Sequence, residues 1–266
     1  MAQPYRPFQP TLTPLGLKRH GLSLVTQPPS PALCGVVQAY LQIHASDATP
    51  YPVIPDGTHA IYLSRHGAFL VGAQSRAMDI EIQKPGDYFG IWFFPGTLRH
   101  FVDIDVSEIK NTSVNETDIS WDDFACLSEK IYQYSAFEDR ATVCDQWLMT
   151  QFNAHMPTKF EHAMDLIYQS DGNLRVSTLA KRVGWSARHL NRMLSLHTGF
   201  STKEFSQIVR LQHACKQIWR QGNLSTNTSM ELGCFDQSHL IKQWHKHLGM
   251  TPGALWRRLM SDFYNH

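Results

Sequence analysis

Arg188, Asn191 and Arg192 stand three and four apart within SARHLNRMLSLH, so on a helix all three point to one side. Arginine can donate two hydrogen bonds to guanine, and asparagine can pair both amide atoms with adenine, so this trio suits base reading in a major groove. Ser186, just ahead, offers the oxygen that caps a helix start, while Leu190, Met193 and Leu194 form the opposite, buried side. The same frame returns 50 residues later, HLNRMLSLHTGFS from His189 being echoed by HLIKQWHKHLGMT from His239. In each copy His-Leu leads to a base (Arg192, Lys242), a large apolar residue (Leu194, Trp244) and a glycine (Gly199, Gly249). A fixed-period echo implies one supersecondary unit used twice. In the second copy Gln237, Ser238 and Lys242 fall on the outward side, with Leu240, Ile241 and Trp244 mostly inward. His189 and His239 sit beside the inward leucine and read as structural. His245 and His247, two apart, cannot share a helix face, which speaks against a metal site there.

The elements that must position these residues follow from the flanking sequence. A helix with Phe160, Met164 and Ile167 inward ends at SDGN, and a shorter one, VSTLAKRV, turns Val176, Leu179, Ala180 and Val183 inward before Gly184. Short helix, glycine turn and capped basic helix describe a helix-turn-helix. A longer helix, STKEFSQIVRLQHACKQIWRQGN, follows, with a predicted capping box of Ser201 and Glu204 and an exit at Gly222. Phe205, Ile208, Val209, Cys215, Ile218 and Trp219 form its buried stripe. A rigid connector of this kind would set two reading helices about 34 Å apart, one turn of B-DNA. Thr251 and Pro252 open a closing helix.

Charge divides the same way. Residues 1–157 carry 10 Lys+Arg against 16 Asp+Glu, whereas residues 158–266 carry 14 against 7 and eight of the 14 histidines. A net +1 therefore hides an acidic front and a basic back, and the basic part suits a polyanion. The length of 266 residues suits two compact domains.

From Tyr51 to about Asp105 the front half reads as short strands, THAIYLS, AFLVGAQ, DIEIQ, DYFGIWFF and HFVDID, punctuated by PDG (Pro55, Asp56, Gly57), KPGD and FPGT. Strands so short and closely spaced predict a small antiparallel barrel or sandwich, whose interior could hold a ligand or be filled by side chains. His59, His66 and His100 are isolated, so no metal or other cofactor is expected. Neither G-x-S-x-G, a Walker loop nor G-x-G-x-x-G occurs. After Ile119 the apolar spacing turns helical (Trp121, Phe124, Leu127, Ile131 and Tyr134, then Val143, Trp147, Leu148 and Phe152), predicting two helices broken near residues 135–138. Such a pair serves packing or self-association equally well. Five scattered cysteines (Cys34, Cys126, Cys144, Cys215, Cys234) predict buried reduced thiols rather than disulfides or zinc. With no membrane-length apolar run and no basic-then-apolar leader in MAQPYRPFQP, a cytoplasmic protein is expected.

With RVGWSARHLNRMLSLHTGFS in one unit and ELGCFDQSHLIKQWHKHLGMTP in the other, the chain from about Thr158 to Leu259 resembles the AraC/XylS family of bacterial transcription regulators. VIPDGTHAIYLS and YFGIWFFPGTLRHF resemble, more weakly, the β-barrel sensor domain of one AraC-type subgroup. The resemblance implies an α+β protein: a cupin-like antiparallel β-barrel sensor over 1–120, a helical linker or dimerisation segment over 121–157, and an all-α double helix-turn-helix domain over 158–266. It implies double-stranded DNA as partner, read by Ser186, Arg188, Asn191 and Arg192 and by Gln237, Ser238 and Lys242, without catalysis. A homodimer that contacts RNA polymerase is expected, with a small-molecule effector, a protein partner or a dimer contact acting at the barrel. Two other readings stay open: a barrel enzyme fused to a DNA-binding module, and a barrel used only for interaction or dimerisation. In one respect the second unit departs from the pattern. Ser225, Thr228 and Ser229 stand where the first unit has Val176, Leu179 and Ala180. Threonine for leucine gives up roughly 1–3 kcal/mol of burial, so the first unit is expected to bind DNA more firmly than the second.

Overall fold

A computed structural model describes residues 5–82, 84–153, 158–221, 244–250 and 254. After a short helix α1 (Pro14–Arg19) come strands β1 (Leu22–Gln27), β2 (Val37–Ala45), β3 (Thr49–Val53), β4 (His59–Ser64), β5 (Gly67–Val71), β6 (Met78–Ile82), β7 (Gly86–Phe93) and β8 (Ser113–Asn115). All pair antiparallel, as six strands in the order β1-β2-β7-β4-β5-β8 and as a separate β3-β6 ribbon. Alternation along the strands sends Ile61 and Leu63 of β4, and Phe89, Ile91 and Phe93 of β7, to one face of the large sheet. Tyr62, Tyr88 and Trp92 go to the other, where they meet Tyr51 and Ile80 of the ribbon. The antiparallel front domain is therefore layered, and no described strand pair closes the large sheet on itself.

On the first face lie α2 (Phe124–Ile131) and α3 (Phe137–Gln151), which bury Phe124, Leu127, Ile131, Phe137, Trp147 and Leu148 against it. Two helices form as the spacing predicts, but they break at residues 132–136 rather than 135–138, so Tyr134 lies exposed in the connecting turn and Phe137 opens α3. HFVDID is not a strand: Leu98–His100 form a turn of 3-10 helix and the following residues run irregularly, because Phe101 and Val102 pack into the core from a loop. Conversely β1, β2, β3 and β8 extend the sheets beyond the segments that alternation marks. Cys144 and Cys215 are buried as expected, but Cys34 and Cys126 are exposed; Cys234 lies outside the described residues.

The basic half begins with α4 (Lys159–Gln169), α5 (Val176–Val183), α6 (Ala187–Thr198) and α7 (Thr202–Gln221), as its sequence predicts. Their shared core holds Phe160, Met164, Ile167, Leu179, Val183, Leu190, Leu194, Phe205 and Ile208. Val176, Met193 and Trp219 are only half-buried. The two halves touch closely. Tyr5 stacks on Tyr168 at 4.6 Å, Gln212 in α7 exchanges hydrogen bonds with the backbone of Phe8, and its amide also donates to the Pro55 carbonyl at 2.7 Å. Gly57, at φ +78°, lies so close to α7 that a Cβ there would fall 2.7 Å from the Phe205 ring.

Candidate nucleic-acid interface

The turn between α5 and α6 is set by Gly184, which adopts φ 69° and closes α5 with its own N–H. Trp185 N–H then donates to Ala180 O at 3.0 Å, and Lys159 Nζ reaches the Gly184 carbonyl at 3.3 Å. Ser186 begins α6 by accepting the His189 N–H at 3.1 Å. Leu190 and Leu194 fix the helix from below, both fully buried. The structure therefore brings Ser186, Arg188, Asn191 and Arg192 together on one exposed face. Arg192 Nη2 lies 3.4 Å from His189 Nδ1, and the half-buried His189 ring meets Trp185 edge-on at 4.7 Å. Asn191, like Ser186, is already engaged with backbone, since its Oδ1 accepts the N–H of Thr202 at 3.0 Å.

The electrostatics favour a polyanion. From Gly172 to Lys203 the sequence holds six cationic side chains and no carboxylate. Of the nearest acids, Glu161 is held by Arg99 and by Thr158, and Glu204 by Lys110 at 2.8 Å. Burial would raise the Glu161 carboxyl, but the Thr158 hydrogen bonds and Arg99 outweigh it and leave the group below its ordinary range. Nearby His197 is pushed down to about 4, first by burial and then by Arg99, so it stays neutral near pH 7.

Sequence reasoning missed that these acids face the front half. Arg99 lies over the Phe160 ring at 4.9 Å while pairing with Glu161, and Lys110 lies over Phe200 at 4.6 Å while pairing with Glu204. Between them Val106 N–H donates to Leu196 O at 3.2 Å. This loop grips the end of α6 remote from Arg188. Only an odd basic residue beside FPGT could have drawn attention to it. In the second unit, Gln237, Ser238 and Lys242, like His239 and the polar run Ser225 to Ser229, lie outside the described residues. Its helical stretch 244–248 buries Trp244 and Leu248 against Ile54 and Phe8, and the His247 ring lies 2.8 Å from the Ser75 carbonyl.

A second concentration of polar chemistry lies between the sheets. A cavity of about 60 Å³ is bordered by Leu41, Val53, Ile80 and Trp92 on its apolar side and by Gln9, Asp56, Thr58 and Gln74 on its polar side. Asp56 accepts from Thr58 N–H (2.9 Å), Thr58 Oγ1 (2.7 Å) and Gln9 Nε2 (2.7 Å), and Trp92 Nε1 donates to Thr58 Oγ1 at 2.8 Å. Burial raises the Asp56 carboxyl above its ordinary value, against the pull of those hydrogen bonds. The sequence marks Asp56 only as turn punctuation. Among the described residues no three His, Cys, Asp or Glu side chains gather as a metal site, and His59, His66 and His100 stay apart. Among the described residues no helix is long and apolar enough to cross a membrane.

Against known proteins, the family profile described as "Helix-turn-helix domain" matches residues 179–258, and one described as "Domain of unknown function (DUF6597)" matches residues 25–115. No curated protein matches the chain. Solved structures of ToxT from Vibrio cholerae align with it. One does so at 9% identity, covering 88% of this chain and 97% of that chain, with a TM-score of 0.43. Another, bound to (E)-4-(8-methylnaphthalen-1-yl)but-3-enoic acid, does so at 11% identity over 90% and 98%, with a TM-score of 0.41.

Proposed function

We propose that this chain, whose residues 179–258 match the helix-turn-helix domain family, is a DNA-binding transcription regulator of the AraC type, and from that premise follows how it reads its site. The first unit enters one major-groove segment with Arg188 and Arg192 facing the bases, and with Ser186 and Asn191 on the same exposed face. The second enters the next segment with Gln237, Ser238 and Lys242, and α7 sets the distance between them. The observation that carries this reading is the exposed face of α6, capped at Ser186, fixed from below by Leu190 and Leu194, and set in a stretch without carboxylates. Phosphate contacts from the surrounding cations supply salt-dependent affinity, and the reading faces supply sequence preference.

We assign residues 158–266 to DNA binding, 121–157 to a linker or dimerisation segment and 1–120 to regulation. The cavity beside Asp56 supports a small-molecule effector there, since it borders the Pro55–Gly57 turn that touches α7. The working form is a cytoplasmic homodimer that contacts RNA polymerase. Selection from a random duplex library with the purified chain at physiological salt, followed by footprinting of the best site, tests the reading. Two protected boxes on one face, about 34 Å apart, are expected. A single box would reduce the second unit to a phosphate clamp, and the absence of any sequence preference would overturn the proposal.

A further inference from the structure

Asn191 shares the exposed face of α6 with Arg188 and Arg192, yet its side chain is already engaged. The first N–H groups of a helix have no partner within it and must find one elsewhere. In α7, Ser201 Oγ takes the Glu204 N–H at 3.2 Å, but Thr202, 1% exposed, has no water to turn to. Asn191 Oδ1 accepts its N–H at 3.0 Å. The orientation of the amide is unambiguous, because a backbone N–H can only face the oxygen. The amide plane is therefore set by α7, whereas reading adenine requires both amide atoms to lie in the plane of the base.

We infer that Asn191 is a positioning residue: it fixes the angle of the reading helix on α7, and base selection by the first unit rests with Arg188 and Arg192. The tie joins residues 11 apart in sequence across the α6–α7 turn. Since α7 leads to the second unit, this angle also sets how the two reading helices present themselves to one duplex. The inference rests on the DNA-reading proposal and adds a division of labour within it.

The test compares the full-length chain with Asn191→Ala, Asn191→Asp and Arg188→Ala, measuring Tm and repeating the random-library selection with each. Asn191→Ala strands the Thr202 N–H and is expected to lower Tm by about 2–4 °C, while every base preference in the selected motif persists. Asn191→Asp keeps an acceptor for Thr202 and should restore Tm to within about 1 °C of the parent, with the motif again unchanged and affinity lowered alike for all sequences by the added negative charge. Arg188→Ala should instead leave Tm in place and erase the preference at one position. Loss of a base preference in Asn191→Ala at unchanged Tm would overturn the inference, as would a Tm in Asn191→Asp no higher than in the alanine variant. A parent chain that selects no motif would overturn the DNA-reading proposal itself, and the role given to Asn191 with it.

Discussion

Beneath α6, Leu190 and Leu194 are wholly buried among Phe160, Met164, Leu179 and Phe205, while the arginines of the same helix face solvent. Between the sheets, Asp56, Thr58, Gln9 and Trp92 turn their polar atoms inward around a cavity of about 60 Å³. The first plan gives a rigid platform with its chemistry outside, as a groove reader needs. The second keeps imperfect packing and satisfied polar groups inside. Close-packed interiors resist deformation, so the cavity wall is where the front half can yield most easily.

Cutting a side chain from each place tests the contrast. Leu194→Ala should cost about 2–5 kcal/mol, because the surrounding core cannot collapse into the gap. Val71→Ala, on the half-buried cavity wall, should cost less. Equal losses in urea melts would mean that the two interiors are packed alike.

Acid should separate the halves next. His59 is 1% exposed, neither ring nitrogen has a hydrogen-bond partner, and burial pushes it down to about 4 from 6.5. Its folded midpoint lies below its unfolded one, so the stability it permits is complete above about pH 6.5 and is lost as pH falls towards about 4. The loss is on the order of 3 kcal/mol, and His59→Leu should flatten it. An unchanged slope between pH 7 and pH 4.5 in the leucine variant would place the acid sensitivity elsewhere.

On the outward face the effect should reverse: Arg192→Ala should weaken DNA binding by about 5–150-fold, as loss of one base contact does, with Tm held within about 1 °C. A smaller loss is expected from Lys242→Ala, given the polar run at Ser225 to Ser229. Matching losses would show that the second unit reads as firmly as the first.

Local patterns foretold α4 to α7 and the breaks between them, because helix period, Gly184 and the Ser186 cap are all written within a few residues of where they act. The exposed cationic face of α6 was legible for the same reason. Contacts made by distant partners were not. Nothing in the sequence around Asn191 shows that Thr202, 11 residues on, turns its N–H to the Asn191 oxygen. HFVDID has strand-like residues, but Phe101 and Val102 satisfy a core that they approach from a loop. Asp56 looks like a turn residue because Gln9, 47 residues earlier, supplies its partner.

Glu204 shows most clearly how a distant partner edits a local motif. Ser201 and Glu204 spell a capping box, yet only half of it forms: Ser201 Oγ accepts the Glu204 N–H, while the carboxylate leaves for Lys110. At α4 the corresponding box, Thr158 with Glu161, is complete and Arg99 is added to it. Removing Lys110 should therefore let Glu204 fall back on its own helix, and removing Arg99 leaves Glu161 no better place than it already has. With both Lys110 and Glu204 23% exposed, solvent screens the pair, and a Lys110→Ala, Glu204→Ala double-mutant cycle should return a coupling of only about 0.3–1 kcal/mol. Arg99→Ala should cost more than Lys110→Ala in the same thermal melts. The reverse order would mean that the Lys110 link, not the Arg99 link, holds the reading unit to the front half.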